Sequence, residues 1–419
     1  MGRSLPLLGA LACLVLASCG KDDAASKAAK ERTLLVGYTA SLTGKLSVES
    51  TRQTRGLSLW VERVNAAGGI KLPDGRTLQV ASKFYDDESN QDRVQELYTR
   101  LVNDDKADFL VSPYSSGLTS SASVIAEQYG KVMISAGAAS DSNYEQGFQH
   151  VFQVYTPASR YLVGALDLIA ATAPDAKKIA IVHENDKFSA DVAKALDANA
   201  RAKGFTVVLD EGYDSSTTDF APFINKVQQS GADAILGGGH FQDGSTFARQ
   251  LAEKGVKARF LVLLVAPPEP GFGELGNAAL GVLGPSQWEP QVSFTAEGAK
   301  SAGLAWFGLT GTEFVEAYKA AHKEEPSYHA AGGYIAGLLL EEAIARAGSV
   351  DGEAVRKALA ATDLLTFFGR SKFFAPDAAH GLQIGHEMVL VQWQKGPDGK
   401  LLKQVVWPPQ GRTAEPILR

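Results

Sequence analysis

The chain has 419 residues, 45% of them hydrophobic and 21% charged, which describes a globular protein without a long disordered part. That length exceeds what one ordinary core serves, so two domains are the default. A formal net charge of −6 with no basic run gives no electrostatic footprint for nucleic acid.

The N-terminal residues MGRSLPLLGALACLVLASCGKDD carry one early positive charge, Arg3, and an apolar stretch from Leu5 to Ala17. The stretch is too short for a transmembrane span and reads as a targeting signal. It ends in Leu16-Ala17-Ser18-Cys19, which resembles the lipobox of bacterial lipoproteins. The resemblance implies a signal peptide over 1–18, acylation of Cys19 and a polar tether over 19–32. The alternative is an ordinary secretory signal in which Cys19 is incidental. Cys13 falls in the removed segment, so no disulfide is expected. Each buried CH₂ of an acyl chain contributes about 0.8 kcal/mol, enough for several chains to hold the protein firmly to a membrane. The expected location is therefore extracytoplasmic and membrane-anchored. No later apolar stretch is long enough to span a bilayer.

From residue 33 short apolar runs alternate with amphipathic helices. TLLVGYT reads as a strand, and Leu57, Trp60, Val61 and Val64 at i, i+3, i+4, i+7 mark a helix stopped by Gly68-Gly69. TLQVASKFY, DFLVS and KVMIS are further strands, with a helix marked by Val94, Leu97 and Leu101. The pattern predicts a doubly wound α/β lobe with a parallel sheet. It restarts near residue 160: strands over 177–183, 205–211, 232–238 and 258–265 enclose helices near 190–203 and 242–254. Helices follow over 310–322, 329–347 and 352–360, and then late strands such as 387–393. Two similar lobes with extra C-terminal elements suggest a cleft protein.

Ligands of open α/β sheets bind beyond the carboxyl ends of the strands. Those ends read SLTGKLS, SPYSSG, SAGAAS, HENDKFS, GGGHFQD and LVAPPEP, rich in Gly, Ser and aromatic residues. In VSPYSSGLTSSAS (111–123), hydroxyls crowd a strand-to-helix junction. Taken alone they are helix caps; as one of a set they become a cradle for an anionic or polar group. His183 and His240 end strands at the expected cleft and are candidates for ligand contact. His380 and His386 flank GLQIG in an expected surface turn. GFGELG (271–276) matches a dinucleotide fingerprint poorly, because Pro267, Pro268 and Pro270 separate it from the strand, and it reads as a loop and short helix start. There is no Walker A sequence, no HExxH and no G-x-S-x-G. Ser115 with a nearby His could imitate a nucleophile and base, but no third, orienting group is evident. Neither catalysis, a metal nor a cofactor is expected.

LLVGYTASLTGKLS, GGI (68–70), YDDESNQDRV, LVNDDKADFLVSPYSSG, VMISAGAAS, KKIAIVHENDKFS and EPSYHAAGGYIAG resemble the branched-chain amino-acid type of ABC-importer substrate-binding protein, with the type I periplasmic binding fold. The resemblance covers nearly the whole mature chain. It implies two Rossmann-like lobes joined by three crossovers near 153–158, 283–290 and 365–372. Lobe 1 is expected over 33–155 and 286–366, lobe 2 over 156–285 and 367–395, and a C-terminal extension over 396–419. A monomer should close on a small ligand and present it to a membrane permease. Ser115, beside Tyr114 and Ser116, matches the serine that holds a ligand carboxylate. Where the family offers a small residue and then Thr, Ala138-Ala139 stand here, followed by Ser140. Phe188 matches one tyrosine of the second lobe, and His240 or Phe241 another. The acid that pairs with a ligand ammonium aligns with Leu264 unless Glu269 or Glu49 reaches in. An unpaired buried ammonium would cost several kcal/mol. The pocket therefore suits an aromatic or aliphatic carboxylate, or a lipid-like molecule with one polar head. The alternatives are an ordinary branched-chain amino-acid carrier and a ligand sensor built on the same clamshell.

Overall fold

The computed structural model describes residues 33–292 and 294–419. The signal segment, the tether and Cys19 lie outside the described residues.

The first sheet takes β1 (Thr33–Ala40), β2 (Ile70–Lys71), β3 (Thr77–Asp86), β4 (Phe109–Val111), β5 (Met133–Ser135) and β6 (Val151–Gln153) in the order β2-β3-β1-β4-β5-β6. Only β2 runs antiparallel to its neighbour. The alternating sequence pattern requires this, because a parallel neighbour needs a helical crossover between strands. The crossovers are α1 (Ser47–Ala66), α2 (Gln91–Asn103) and α3 (Ser116–Gln128). Leu57, Trp60 and Val64 of α1 are buried, as the period-3.6 stripe predicts.

The second unit begins with α4 (Val163–Thr172) and β7 (Lys178–Glu184). It continues through α5 (Lys187–Ala202), β8 (Thr206–Tyr213), α6 (Ala221–Ser230), β9 (Ala234–Gly238), α7 (Phe241–Glu253), β10 (Phe260–Leu263) and β11 (Leu283–Ser286). GFGELG falls within a 3₁₀ segment, Pro270–Ala278, as a non-nucleotide loop would.

The chain then returns to the first lobe for α8 (Ala296–Ser301), β12 (Ala305–Trp306), α9 (Gly311–His322), α10 (Tyr328–Ala347), α11 (Gly352–Ala360), β13 (Asp363–Thr366) and β14 (Gly369–Lys372). Strands β12-β13-β14 form a small sheet of their own. Phe367, between β13 and β14, stacks on Phe314 of α9 at 4.7 Å between ring centroids. The last strands, β15 (Val389–Lys395) and β16 (Leu401–Trp407), complete a seven-stranded second sheet, β16-β15-β11-β10-β9-β7-β8. The segment set apart from sequence as a C-terminal extension thus supplies an edge strand of lobe 2.

Helix α10 is buried along most of its length against α1, and glycine makes this possible. A Cβ on Gly56 would lie 1.8 Å from the Ala330 carbonyl oxygen, one on Gly333 2.0 Å from the Gln53 oxygen, and one on Gly337 2.1 Å from the Trp60 ring.

Three crossovers join the lobes: 154–158 after β6, 287–290 after β11, and 373–388 between β14 and β15. The third lies later than the expected 365–372, because Gly369–Lys372 turns back as a hairpin on β13. Gln287 ties the three together. Its Oε1 accepts the Thr156 amide at 2.9 Å, its Nε2 donates to Tyr161 Oη at 2.9 Å, and its carbonyl accepts from His386 Nε2 at 2.9 Å. The surface turn expected for His380 and His386 is not what the structure shows: both are buried, His380 edge-on to Phe152 and His386 stacked on Phe368 at 4.7 Å. His386 in its neutral form satisfies its apolar site with one hydrogen bond, to the Gln287 carbonyl.

Candidate functional site

The carboxyl ends of the two sheets face each other across a nearly closed cavity of about 10 Å³, room for about one water. Lobe 1 contributes Tyr114, Ser115, Ser116, Gly137 and Ala139; lobe 2 contributes Tyr161, Phe188, His240 and Val265. Tyr155 of the first crossover and Tyr328 at the start of α10 complete the wall. Four tyrosines and a phenylalanine give it a largely aromatic lining.

Ser115 is the extended N-cap of α3, yet its side chain makes no cap bond. The Ser116 hydroxyl accepts the Ala139 and Ser140 amides, each at 3.1 Å, locking the 114–117 loop to the 137–140 loop. Its proton remains to be donated. The first turn of α3 contains no acid. The other helix starts at the cleft differ. Asp186 caps α5 through the Phe188 and Ser189 amides at 3.2 and 2.9 Å. Asp243 caps α7 through the His240 amide at 2.9 Å, and Glu49 of lobe 1 accepts the Phe241 amide at 2.8 Å. Glu269 reaches His329, in the first turn of α10, at 2.6 Å. Positive helix ends attract anions, and α3 alone among these four has its own left open.

His240 sits at the meeting of the lobes. Its Nδ1 is 2.8 Å from Tyr114 Oη and its Nε2 3.3 Å from Asp186 Oδ2. Burial works against the imidazolium. The hydrogen bond and charge of Asp186, with Glu184 and Glu49 adding, outweigh it and hold the pKa at about 9. For Asp186 the balance is mirrored: burial opposes its charge, but His240 draws its pKa down to about 2. Burial pushes Glu49 up, with only partial relief from His240 and His329. Glu269 moves the other way, because the His329 hydrogen bond and charge and the Arg52 guanidinium overcome its burial. Arg52 Nε is 3.2 Å from Glu269 Oε2. At the cleft mouth Lys45 of lobe 1 reaches Glu184 of lobe 2 at 2.6 Å.

Of the residues singled out in sequence, Tyr114, Ser115, Ser116, Ala139, Phe188 and His240 border the cavity. Ala138, Ser140, Phe241, Leu264 and Glu269 stand behind its wall. Ser140 Oγ lies 3.4 Å from the Lys187 carbonyl of the other lobe. Leu264 is buried in the core, and Val265, one residue on, faces the cavity. His183 turns away, its Nδ1 on the Glu184 carbonyl at 2.8 Å. Sequence reasoning missed Gly137, Tyr155, Tyr161, Val265 and Tyr328. Tyr328 lies within EPSYHAAGGYIAG, and a tyrosine opening a Gly-rich helix was the available signal. Tyr155 lies in the first crossover and Tyr161 just beyond it, and no period marks either.

A family model described as periplasmic binding protein matches residues 33–399. The Leu/Ile/Val-binding protein homolog 8 of Brucella abortus (strain 2308) is 28% identical over 390 residues, covering 87% of this chain and 89% of its own. Among solved structures, the fold is similar to that of LivJ, the branched-chain amino acid transporter substrate binding protein of Streptococcus pneumoniae, in complex with isoleucine. The TM-score is 0.73 at 23% identity, covering 90% of this chain and 100% of that one. It is also similar to a solute binding protein of an ABC transporter from R. palustris in complex with benzoate, with a TM-score of 0.71 at 22% identity, covering 88% and 95%. These are solute-binding proteins, not enzymes, and the family works outside the cytoplasm. The chain belongs to the periplasmic binding protein family, and within it is similar to the Leu/Ile/Val-binding protein homologues.

Proposed function

We propose that this protein captures a small aromatic or aliphatic carboxylate between its lobes and delivers it to the permease of an ABC importer, acting as a monomer held at the membrane through Cys19. The observation that carries this reading is the Glu269–His329–Arg52 cluster. The acid nearest the usual ammonium partner already has two cationic or hydrogen-bonding neighbours, at 2.6 and 3.2 Å. An incoming ammonium would have to displace them. At the other end, α3 offers Ser115, Ser116 and free amides to a carboxylate. Tyr155, Tyr161, Phe188 and Tyr328 supply flat apolar surface to what lies between. The benzoate held by the R. palustris relative in fold is consistent with that chemistry.

One observation favours an amino-acid ligand instead: Glu49 Oε2 is buried and has no partner. Calorimetry with benzoate, 4-hydroxybenzoate, a branched aliphatic carboxylate, leucine and valine separates the two. Micromolar or tighter binding of a carboxylate lacking an amine, with leucine much weaker, is expected. The reverse order would replace this reading with that of an amino-acid carrier.

A further inference from the structure

At the mouth of the cleft, on the edge of the cavity that His240 also borders, one donor atom from each of Glu184, Asp186 and His240 lies within 4.8 Å of the other two. Positions 184 and 186 follow one strand and 240 follows another, so no sequence spacing announces the group. Strands β7 and β9 pair in parallel and bring their carboxyl ends together.

We infer that Glu184, Asp186 and His240 form a binding site for a divalent transition metal of the zinc class, with its open coordination positions facing the cleft.

Four observations support this. Glu184 is 2% exposed, and its Oε2 has no partner, although Lys45 holds Oε1. That free oxygen converges with Asp243 Oδ2 on Gly239, where a Cβ would meet them at 2.3 and 2.5 Å. The His240 Nε2 to Asp186 Oδ2 separation of 3.3 Å is long for a charged hydrogen bond. It suits two ligands sharing one metal, whose bonds run about 2.0–2.2 Å. The remaining nitrogen, Nδ1, is oriented by Tyr114 Oη at 2.8 Å, the second-shell support that metal-bound imidazoles carry.

The charge has the sign a cation needs. Glu184, Asp186 and Asp243 are formally three negative charges with Lys45 among them, and a dication offsets the excess. A mixed nitrogen–oxygen donor set with three protein ligands suits zinc with water or a ligand oxygen in the fourth position. The inference does not depend on the ligand being an apolar carboxylate.

The test uses the mature, untagged protein without added ligand. Calorimetric titration with zinc chloride should show one site per chain. Cobalt(II) should give visible d–d bands of a low-coordinate site. Glu184→Gln and His240→Asn should each weaken zinc by about tenfold or more, and Tyr114→Phe by about tenfold. No zinc heat and no cobalt band in the unmodified protein would overturn the inference. So would zinc affinity unchanged in both Glu184→Gln and His240→Asn, which would place the metal elsewhere. Should either variant fail to fold, the zinc stoichiometry and the cobalt spectrum of the unmodified protein decide the matter.

Discussion

His329 Nδ1 and Glu269 Oε1 lie 2.6 Å apart, both fully buried, one from each lobe. The pair ties the lobes together and engages one oxygen of the Glu269 carboxylate. Removing one partner of a buried pair leaves an uncompensated charge, at a cost of roughly 3–5 kcal/mol. His329→Leu should therefore lower the thermal midpoint markedly and, by freeing Glu269, raise the affinity for leucine. Differential scanning calorimetry and a leucine titration check both outcomes. A gain in leucine binding without loss of stability would show that the pair does not hold the lobes together.

Ser115→Ala should weaken carboxylate binding by about tenfold to a hundredfold, the loss of a hydrogen bond to a charged group worth about 1.5–3 kcal/mol. The free protein should be nearly unchanged, since the Ser115 side chain makes no cap bond. Calorimetry with benzoate against a thermal melt separates the two effects.

Glu49 makes a subtler case. Burial pushes its pKa up, so a glutamine resembles its protonated form and can still accept the Phe241 amide. Glu49→Gln should be close to neutral for stability. Glu49→Ala should cost about 1–3 kcal/mol by orphaning that amide. Chemical denaturation of the two variants measures the difference, and equal losses would argue against a cap across the lobes.

The His240 pKa in the folded protein, about 9, stands above its ordinary 6.5. The stabilisation it brings is fully present below pH 6.5 and is lost as pH rises through about 9. The thermal midpoint should fall between those values, and His240→Asn should flatten the slope. The groups facing His240 are Asp186, Glu184, Glu49 and Tyr114. A slope identical in the variant would assign the titration to some other group.

Much of the fold was legible because parallel strands buried on both faces read as continuous apolar runs. TLLVGYTA, KIAIVHE and AILGG became β1, β7 and β9 with shifts of a residue or two. Strands β2, β6, β12 and β14 were not legible. They have two to four residues each, and tertiary pairing rather than local pattern decides them. The candidate site divides similarly. Ser115, Ser116 and His240 sit at strand ends, where topology predicts contact. Val265 was displaced to Leu264 because both lie just past the end of β10, where no strand period marks which side chain faces the cavity. The pairing of His329 with Glu269 was invisible, since the residues are 60 apart and come from different lobes.

The α1–α10 contact can be tested separately. A Cβ on Gly333 would lie 2.0 Å from backbone oxygen, which cannot rotate away. Gly333→Ala should destabilise by about 1–3 kcal/mol or more through forced separation of the helices. It should also disturb Gln53, which holds the Ser112 carbonyl beneath the binding loop at 2.9 Å. Urea denaturation and a benzoate titration report the two consequences.

Gln287 gives the molecule a division of labour with respect to acid and base. Its bonds to Thr156, Tyr161 and His386 bind all three crossovers into one joint. Burial drives the pKa of His386 down to about 4, so the joint keeps one protonation state across the range in which His240 titrates. A rise in pH thus acts on the His240–Asp186 pair within lobe 2 and leaves the axis on which the lobes turn unaltered.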